Sequence, residues 1–139
     1  MLMGATTYRQ MSEIVTSGDD PTFPRMAELP KIVFSKTLRQ PLTWANTTIV
    51  DDPVETDVPA LKAMADGLPM RTIGSPSLVR SLFRLGLVDR VRVMVFPMIH
   101  GTAGEEPVFA ELPVVDLNLA DTTVLDDRLV LLDYRIGGH

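Results

Sequence analysis

Three short polar segments, each placed directly after an apolar run, carry the residue types from which an anion-binding site can be built. They are Gly4-Ala5-Thr6-Thr7, Ser35-Lys36-Thr37 and Gly74-Ser75-Pro76-Ser77. Glycine lets a phosphate approach the backbone, and hydroxyl groups donate hydrogen bonds without adding bulk. The first and third segments also precede predicted helices, whose unpaired N–H groups and positive dipole end attract anions.

The positions of these segments in the predicted sheet strengthen the interpretation. Ligands of open α/β sheets bind outside the carboxyl ends of the strands, which is where all three segments lie. Lys36, with Arg39 close by in sequence, supplies the positive charge that a terminal phosphate prefers. Together the segments suit a ligand with several phosphates, such as a dinucleotide. Each one alone is more typical of an ordinary helix cap or solvated turn than of a binding site.

Other polar residues are less informative, because a structural role explains each of them. An aspartate pair tolerates turn geometry, a histidine beside a glycine is typical of a loop start, and a lone tryptophan usually packs in the core. Acid/base chemistry at the glutamate pair and metal binding at either aspartate pair stay open as alternatives. The residues concerned are Trp44, Asp51-Asp52, His100, Glu105-Glu106 and Asp126-Asp127.

Composition excludes several classes of function. The chain has 139 residues, which predicts a single domain, and no cysteine, which excludes disulfides and thiolate metal sites. A net charge of −5 argues against nucleic acid as a partner, and two histidines are too few for a histidine-rich metal site. No apolar run reaches the roughly 18 residues of a membrane span, and the first residues lack the basic region of a signal peptide. We therefore expect a cytoplasmic protein without a metal.

The apolar periodicity alternates between strand and helix along the chain. It predicts strands at residues 1–3, 31–38, 47–52, 70–74 and 90–99, and helices from Thr6 or Thr7, over 58–66 and from Ser75 or Ser77 to Gly86. Residues 16–30 are predicted as a loop, and the last strands as a hairpin around Asp126-Asp127. This order favours an α/β fold whose sheet is mostly parallel, with antiparallel strands at the end.

Four segments resemble, in order and spacing, the dihydrofolate reductase-like proteins, and above all the C-terminal reductase domain of the bifunctional riboflavin-biosynthesis deaminase–reductase. They are MGATTYRQM, LPKIVFSKTL, IGSPSLVRSLFRLGLVDRVRVMVFPMIHGTAG and RLVLLDYRI. The third segment is the most specific. The resemblance implies a three-layer dihydrofolate reductase-like sandwich over residues 1–139, a homodimer, and hydride transfer from NADPH to a small heterocyclic or pterin-like substrate.

The resemblance also implies roles for the three segments. Gly4, Thr6 and Thr7 would lie along the cofactor phosphates, with Ala5 between them. Ser35, Lys36 and Thr37 would hold the adenosine 2′-phosphate. The pyrophosphate would meet the helix start formed by Gly74, Ser75, Pro76, Ser77 and Leu78. No residue of the chain matches a catalytic position of the family.

The sequence departs from the family in two places. Family members usually carry arginine where this chain has Ala5, and they begin with an additional strand and an acidic loop that precede the region corresponding to Met1. The chain is therefore expected to be a single reductase-like domain that is truncated at its N-terminus relative to the family. The alternative is a non-catalytic nucleotide-binding or dimeric interaction protein that keeps the scaffold.

Overall fold

A computed structural model describes residues 1–64, 67–99, 101 and 109–137 of the chain. The chain forms two compact units, Met1–Leu82 and Phe83–His139. The helices are α1 (Ala5–Ser17), α2 (Phe23–Glu28), α3 (Val54–Met64) and α4 (Pro76–Arg84). The strands are β1 (Leu2–Gly4), β2 (Lys31–Phe34), β3 (Thr47–Val50), β4 (Arg90–Val95), β5 (Leu117–Leu125) and β6 (Leu129–Ile136).

The first unit contains a three-stranded parallel sheet in the order β1-β2-β3. Its strands are only three or four residues long. Burial alternates along β2, where Lys31 and Val33 are buried, whereas both apolar residues of β1, Leu2 and Met3, are buried. Met3 and Val33 pack with Tyr8 of α1 and with Trp44, and all four are buried. The Tyr8 hydroxyl oxygen accepts a hydrogen bond from the Trp44 backbone N–H at 3.2 Å. The predicted packing role of Trp44 is therefore confirmed.

Lys31, at the start of β2, is a buried lysine with a structural role. Its Nζ donates hydrogen bonds to the backbone oxygens of Met26, Ala27 and Leu29 and lies 4.7 Å from the centroid of the Trp44 ring. Burial lowers the pKa of the Lys31 ammonium. The side chain thereby supplies donors to carbonyl groups at the end of α2, where helix geometry leaves carbonyl oxygens without intrahelical partners.

The second unit contains an antiparallel sheet in the order β4-β6-β5. β5 and β6 form the predicted hairpin, and Asp126 and Asp127 both adopt positive φ in its turn, at 51° and 53°. Pairing of β4 with β6 places polar residues on one face and apolar residues on the other. The predicted α/β fold, with a parallel sheet and a C-terminal antiparallel hairpin, is confirmed.

Several predicted element bounds are wrong. The loop predicted over 16–30 contains α2, which begins at Phe23 with Pro24 in its first turn, a position that proline favours. α3 begins at Val54 rather than at 58 and contains Pro59 in its second turn. Residues 70–74 form only a single bridge, between Thr72 and Leu2, rather than a strand.

The strand predicted over 90–99 is also shorter than expected. It ends at Val95, and β6, not β4, is the inner strand of the described sheet. The apolar run from 93 to 99 indicates burial but does not say which strand lies beside it, and Phe96 and Ile99 are exposed. The end of the helix predicted to reach residue 66 lies outside the described residues.

Candidate functional site

The carboxyl ends of the parallel strands in the first unit lie side by side. Gly4, the last residue of β1, is in register with Phe34, which is in register with Val50. On the other side of β1, Leu2 pairs with Thr72 in parallel. Since Gly4 and Gly74 each lie two residues beyond this pair, the two turns are level with each other. The three segments predicted from sequence therefore meet at one edge, which we call the carboxyl edge.

The first and third segments are joined at this edge by hydrogen bonds. The Gly4 backbone N–H donates to Ser75 Oγ at 2.8 Å, and the Ser75 hydroxyl donates to Thr7 Oγ1 at 2.7 Å. Ser75 is buried, with 6% of its surface exposed. The two helix starts, α1 after Gly4 and α4 after Ser75, are thus held together by one hydroxyl group.

Close packing of Gly74 against Thr7 explains why glycine is required there. Gly74 has a φ of 58°, and a Cβ atom added to it would lie 3.1 Å from Thr7 Cγ2 and 3.2 Å from Thr7 Oγ1. A larger residue would be strained both by the backbone conformation and by this contact. The turn therefore stays close to α1 only with glycine at this position.

Unpaired donors remain at the two helix starts. No side chain among the described residues caps the N-terminus of α1, whose first turn contains no acidic residue. The first-turn amides of α1 have no carbonyl partner within their own helix, and neither do those of Ser77 and Leu78 in α4, whose first residue, Pro76, has no N–H. Thr6 and Ser77 are exposed beside them, whereas the side chain of Leu78 is buried, so that Leu78 offers only its backbone N–H. Such an arrangement can hold an anion.

The second segment follows β2 and is ordered by its own turn. Ser35 Oγ accepts hydrogen bonds from the backbone N–H groups of Thr37, at 3.2 Å, and Leu38, at 2.9 Å. Arg39 donates to the Lys36 and Leu38 carbonyl oxygens, so its guanidinium is turned back onto this loop. Lys36 and Thr37 are exposed. Lys36 is therefore the cation of this segment that is directed to solvent rather than to its own turn.

Lys36 shares an open groove of about 280 Å³ with acidic residues. Ser35, Asp51 and Asp52 also line this groove, next to the end of β3. Nearby, Asp57 Oδ2 is inaccessible to solvent and has no hydrogen-bond partner among the described residues. Burial raises the pKa of Asp57, and the charges of Asp52 and Asp51 raise it further. The positive charge of Lys36 in this groove is therefore surrounded by the negative charges of Asp51 and Asp52.

A second open depression, of about 410 Å³, lies at the other end of α1. It is lined by residues of α1, α2 and the segment 43–45, including Val15, Phe23 and Trp44. α1 extends for about 18 Å between its first and last residues, so this depression is separate from the carboxyl edge. It contains part of the 16–30 segment that was predicted as a loop.

A charged cluster in the second unit was missed by the sequence analysis. Asp133 is buried, with 4% of its surface exposed, and accepts hydrogen bonds from Arg90 and, at 2.7 Å, from Arg92 Nε. The Arg90 hydrogen bonds, followed by those of Arg92, lower the pKa of Asp133 to about 2 against the opposing effect of burial. The sequence contained one signal for this cluster. Arginine and apolar residues alternate at the start of β4, which places Arg90 and Arg92 on one face of the strand.

The remaining candidates do not form a site within the described part of the chain. His100 and Glu105-Glu106 lie outside the described residues. Over the ranges that are described, no group of three or more histidine, cysteine, aspartate or glutamate side chains is arranged to hold a metal ion. None of the described helices is both long and apolar enough to cross a membrane.

Comparisons with known proteins agree with this architecture. The family model of the RibD C-terminal domain matches residues 1–131. A proposed riboflavin biosynthesis protein from Shewanella sp. PV-4 has a similar structure, with a TM-score of 0.74 and 21% identity over 99% of this chain and 73% of that one. A pyrimidine reductase-like protein from Corynebacterium diphtheriae has a TM-score of 0.63 and 17% identity over 99% and 75%. No curated protein sequence matches.

Proposed function

The chain belongs to the RibD C-terminal domain family, and from that premise we propose that it is a reductase that transfers a hydride from NADPH to a small heterocyclic or pterin-like substrate. Family membership supports the reductase role. The observation that carries the cofactor proposal is the meeting of Gly4-Thr7, Ser35-Thr37 and Gly74-Ser77 at one edge of the sheet. A dinucleotide carries several phosphate groups, so it requires phosphate-binding groups at more than one neighbouring strand end.

The carboxyl edge fits the pyrophosphate of a dinucleotide by its shape and its donors. Glycines at positions 4 and 74 leave the backbone accessible. The first turn of α1, which no described side chain caps, and the first turn of α4 offer N–H groups. Thr6 and Ser77 add exposed hydroxyl groups. When bound, the nicotinamide of the cofactor supplies the hydride, while the protein binds and orients it.

The fit to a 2′-phosphate depends on Lys36. It is exposed next to the Ser35 turn, and Arg39 is held by the carbonyl groups of its own loop. Ala5 contributes no charge to the first turn of α1. Lys36 is consequently the residue that we assign to the 2′-phosphate, against the negative charges of Asp51 and Asp52 in the same groove.

The descriptions of the two similar proteins support a heterocyclic substrate, since one is assigned to riboflavin biosynthesis and the other is called pyrimidine reductase-like. We assign no catalytic residue, because the first turns of α1 and α4 contain no acidic side chain. Homodimeric assembly and a cytoplasmic location stay predictions.

Titration of NADPH, followed by its fluorescence, tests the proposal. Gly74→Asp should weaken binding by at least about a hundredfold, because it adds a carboxylate and a steric contact at the phosphate position. Gly67→Asp is a matched control: Gly67 also has a positive φ, 78°, but has no atom within 4 Å of an added Cβ. It should bind NADPH as the wild type does.

The outcome also separates the two functions that the sequence left open. If the wild type does not bind NADPH, or if Gly74→Asp binds as tightly as Gly67→Asp, the reductase proposal is wrong. Binding without oxidation of NADPH in the presence of pyrimidine, pteridine and flavin-precursor substrates would favour the non-catalytic nucleotide-binding protein. The departure at Ala5 is the observation that keeps this second function in consideration.

A further inference from the structure

Ser75 adopts a backbone conformation that serine seldom takes. Its φ is 56°, in the left-handed region, and Gly74 before it has a φ of 58°. Glycine adopts this conformation freely, but a residue with a side chain is strained there. Such a residue persists where its surroundings determine the conformation, and these positions cluster at functional sites. The turn conformation favours glycine at this position, so the presence of a serine side chain there requires a separate explanation.

The hydrogen bonds of the Ser75 hydroxyl show what the side chain does. Its oxygen accepts from the Gly4 N–H at 2.8 Å, and its proton is donated to Thr7 Oγ1 at 2.7 Å. A serine hydroxyl has one proton, so none is left for a phosphate oxygen. The Gly4 N–H is likewise used within the protein. Neither group is a direct phosphate ligand in this arrangement, in contrast to the roles that the family resemblance implied for Gly4 and Ser75.

Three contacts join the same two turns. Besides the two hydrogen bonds of Ser75, Gly74 approaches Thr7 so closely that an added Cβ would lie 3.1 Å from its methyl carbon. The Thr72–Leu2 bridge precedes both turns. Because Ser75 is 6% exposed, its hydrogen bonds are formed away from water and do not exchange readily with solvent. The starts of α1 and α4 are thus held as one element.

We propose that Ser75 is a positioning residue: its hydroxyl fixes the start of α4 to the start of α1, so that the free amides of both helices are aligned for one pyrophosphate. This inference rests on the proposed function, since it assigns the aligned amides to the cofactor. Ser75 acts through Gly4 and Thr7 and does not contact the ligand. Loss of the hydroxyl separates the helix starts and weakens NADPH binding.

The experiment compares substitutions that separate the hydroxyl from the backbone strain. Ser75→Gly removes the hydroxyl and relieves the backbone strain, whereas Ser75→Ala removes the hydroxyl but keeps the backbone strain. Both should weaken NADPH binding by about tenfold, the effect of one well-formed hydrogen bond. Thr7→Val, which lacks the acceptor, should act similarly, and Thr7→Ser, which keeps it, should recover most of the binding that Thr7→Val loses.

Combination of the substitutions gives the decisive readout. Thr7→Val should add little to the effect of Ser75→Gly, because the loss of the Ser75 hydroxyl already removes the hydrogen bond to Thr7. Ser17→Ala, at the other end of α1, is a control and should not change binding. Should Ser75→Ala fail to fold, Ser75→Gly and Thr7→Val still provide this test.

Hydrogen exchange of the Gly4 amide supplies a readout without ligand. The amide should be protected in the wild type and exchange faster in Ser75→Gly. The inference is overturned if Ser75→Gly binds NADPH as tightly as the wild type, if its effect multiplies with that of Thr7→Val, or if Gly4 protection is unchanged. A wild type that binds no NADPH overturns the proposed function instead, while exchange at Gly4 still shows whether the connection exists.

Discussion

The carboxyl edge of the first unit and the polar face of the β4-β6-β5 sheet are both built on a buried polar side chain, but they differ in what remains unpaired. At the edge, Ser75 is neutral and joins two turns, and the first-turn amides around it are left without intrahelical partners. On the sheet, Asp133 is charged and its oxygens are engaged by Arg90 and Arg92. The edge has donors left for a ligand, whereas the carboxylate of the sheet cluster is used within the fold.

The presence of unpaired hydrogen-bonding groups distinguishes a binding site from a structural cluster better than the presence of a charged side chain does. A strongly lowered pKa is often taken as a sign of function, but structural ion pairs lower pKa values as well. Asp133 has the pKa of about 2, and its partners account for it. At the carboxyl edge the first turns of α1 and α4 contain no acidic residue, and their geometry suits an anion. We therefore expect substitutions on the sheet to change stability and substitutions at the edge to change binding.

The largest effect on stability is expected for Asp133→Asn. The amide keeps the volume but leaves two arginines without a carboxylate, so the urea midpoint of unfolding should fall by about 1 M. Asp121→Asn is the matched control, since Asp121 is exposed and lies opposite Asp133 in the same sheet. It should change the midpoint little. A midpoint for Asp133→Asn equal to that of the control would mean that the cluster is not structural.

The wild type and Asp133→Asn also differ in how their stability is expected to depend on pH. The folded-state pKa of Asp133, about 2, is below the value of about 3.9 for an unfolded aspartate, so its carboxylate stabilises the folded state above the unfolded pKa. The stability difference between wild type and Asp133→Asn should be full above about pH 5 and should shrink as the pH falls through about 4 toward 2. Urea unfolding at a series of pH values measures it. A difference that is constant down to pH 2 contradicts the assignment.

An intermediate effect, on binding rather than on stability, is expected at Lys36. Lys36→Gln should weaken NADPH binding by about tenfold and leave NADH binding unchanged, because only NADPH carries the 2′-phosphate. Lys36→Arg keeps the charge and is the conservative control. Asp52→Asn, in the same groove, should act in the opposite direction and strengthen NADPH binding severalfold. Equal losses for both cofactors would show that Lys36 does not distinguish them.

The smallest effect is expected in the hairpin turn. Asp127 has a φ of 53°, so Asp127→Gly relieves the left-handed conformation and should stabilise the protein by about 0.5 kcal/mol, measured by urea unfolding. Asp121→Gly, in the strand before the turn, should instead destabilise it by about 0.5–1 kcal/mol. If both glycine substitutions destabilise equally, the turn conformation described here is wrong.

The parts of the site that depend on local chemistry were predictable from the sequence. Gly4, Gly74 and the hydroxyl residues near them were identified because a strand followed by glycine and a helix is a local pattern. The roles of the individual groups could not be predicted, because the two partners of the Gly4–Ser75 hydrogen bond are 71 residues apart in the chain. For the same reason Asp133 was missed, because its partners are 41 and 43 residues away.

Apolar periodicity and local residue types determined the α/β order, the hairpin around Asp126-Asp127 and the positions of the three polar segments, because these follow from residues within a few positions of one another. Only the tertiary structure decided that the first and third segments share one hydroxyl group, that Lys31 is buried against Trp44 and α2, and that Lys36 faces solvent among aspartates. Two lysines five residues apart are alike in sequence. Their burial depends on what packs against them, which is a property of distant parts of the chain.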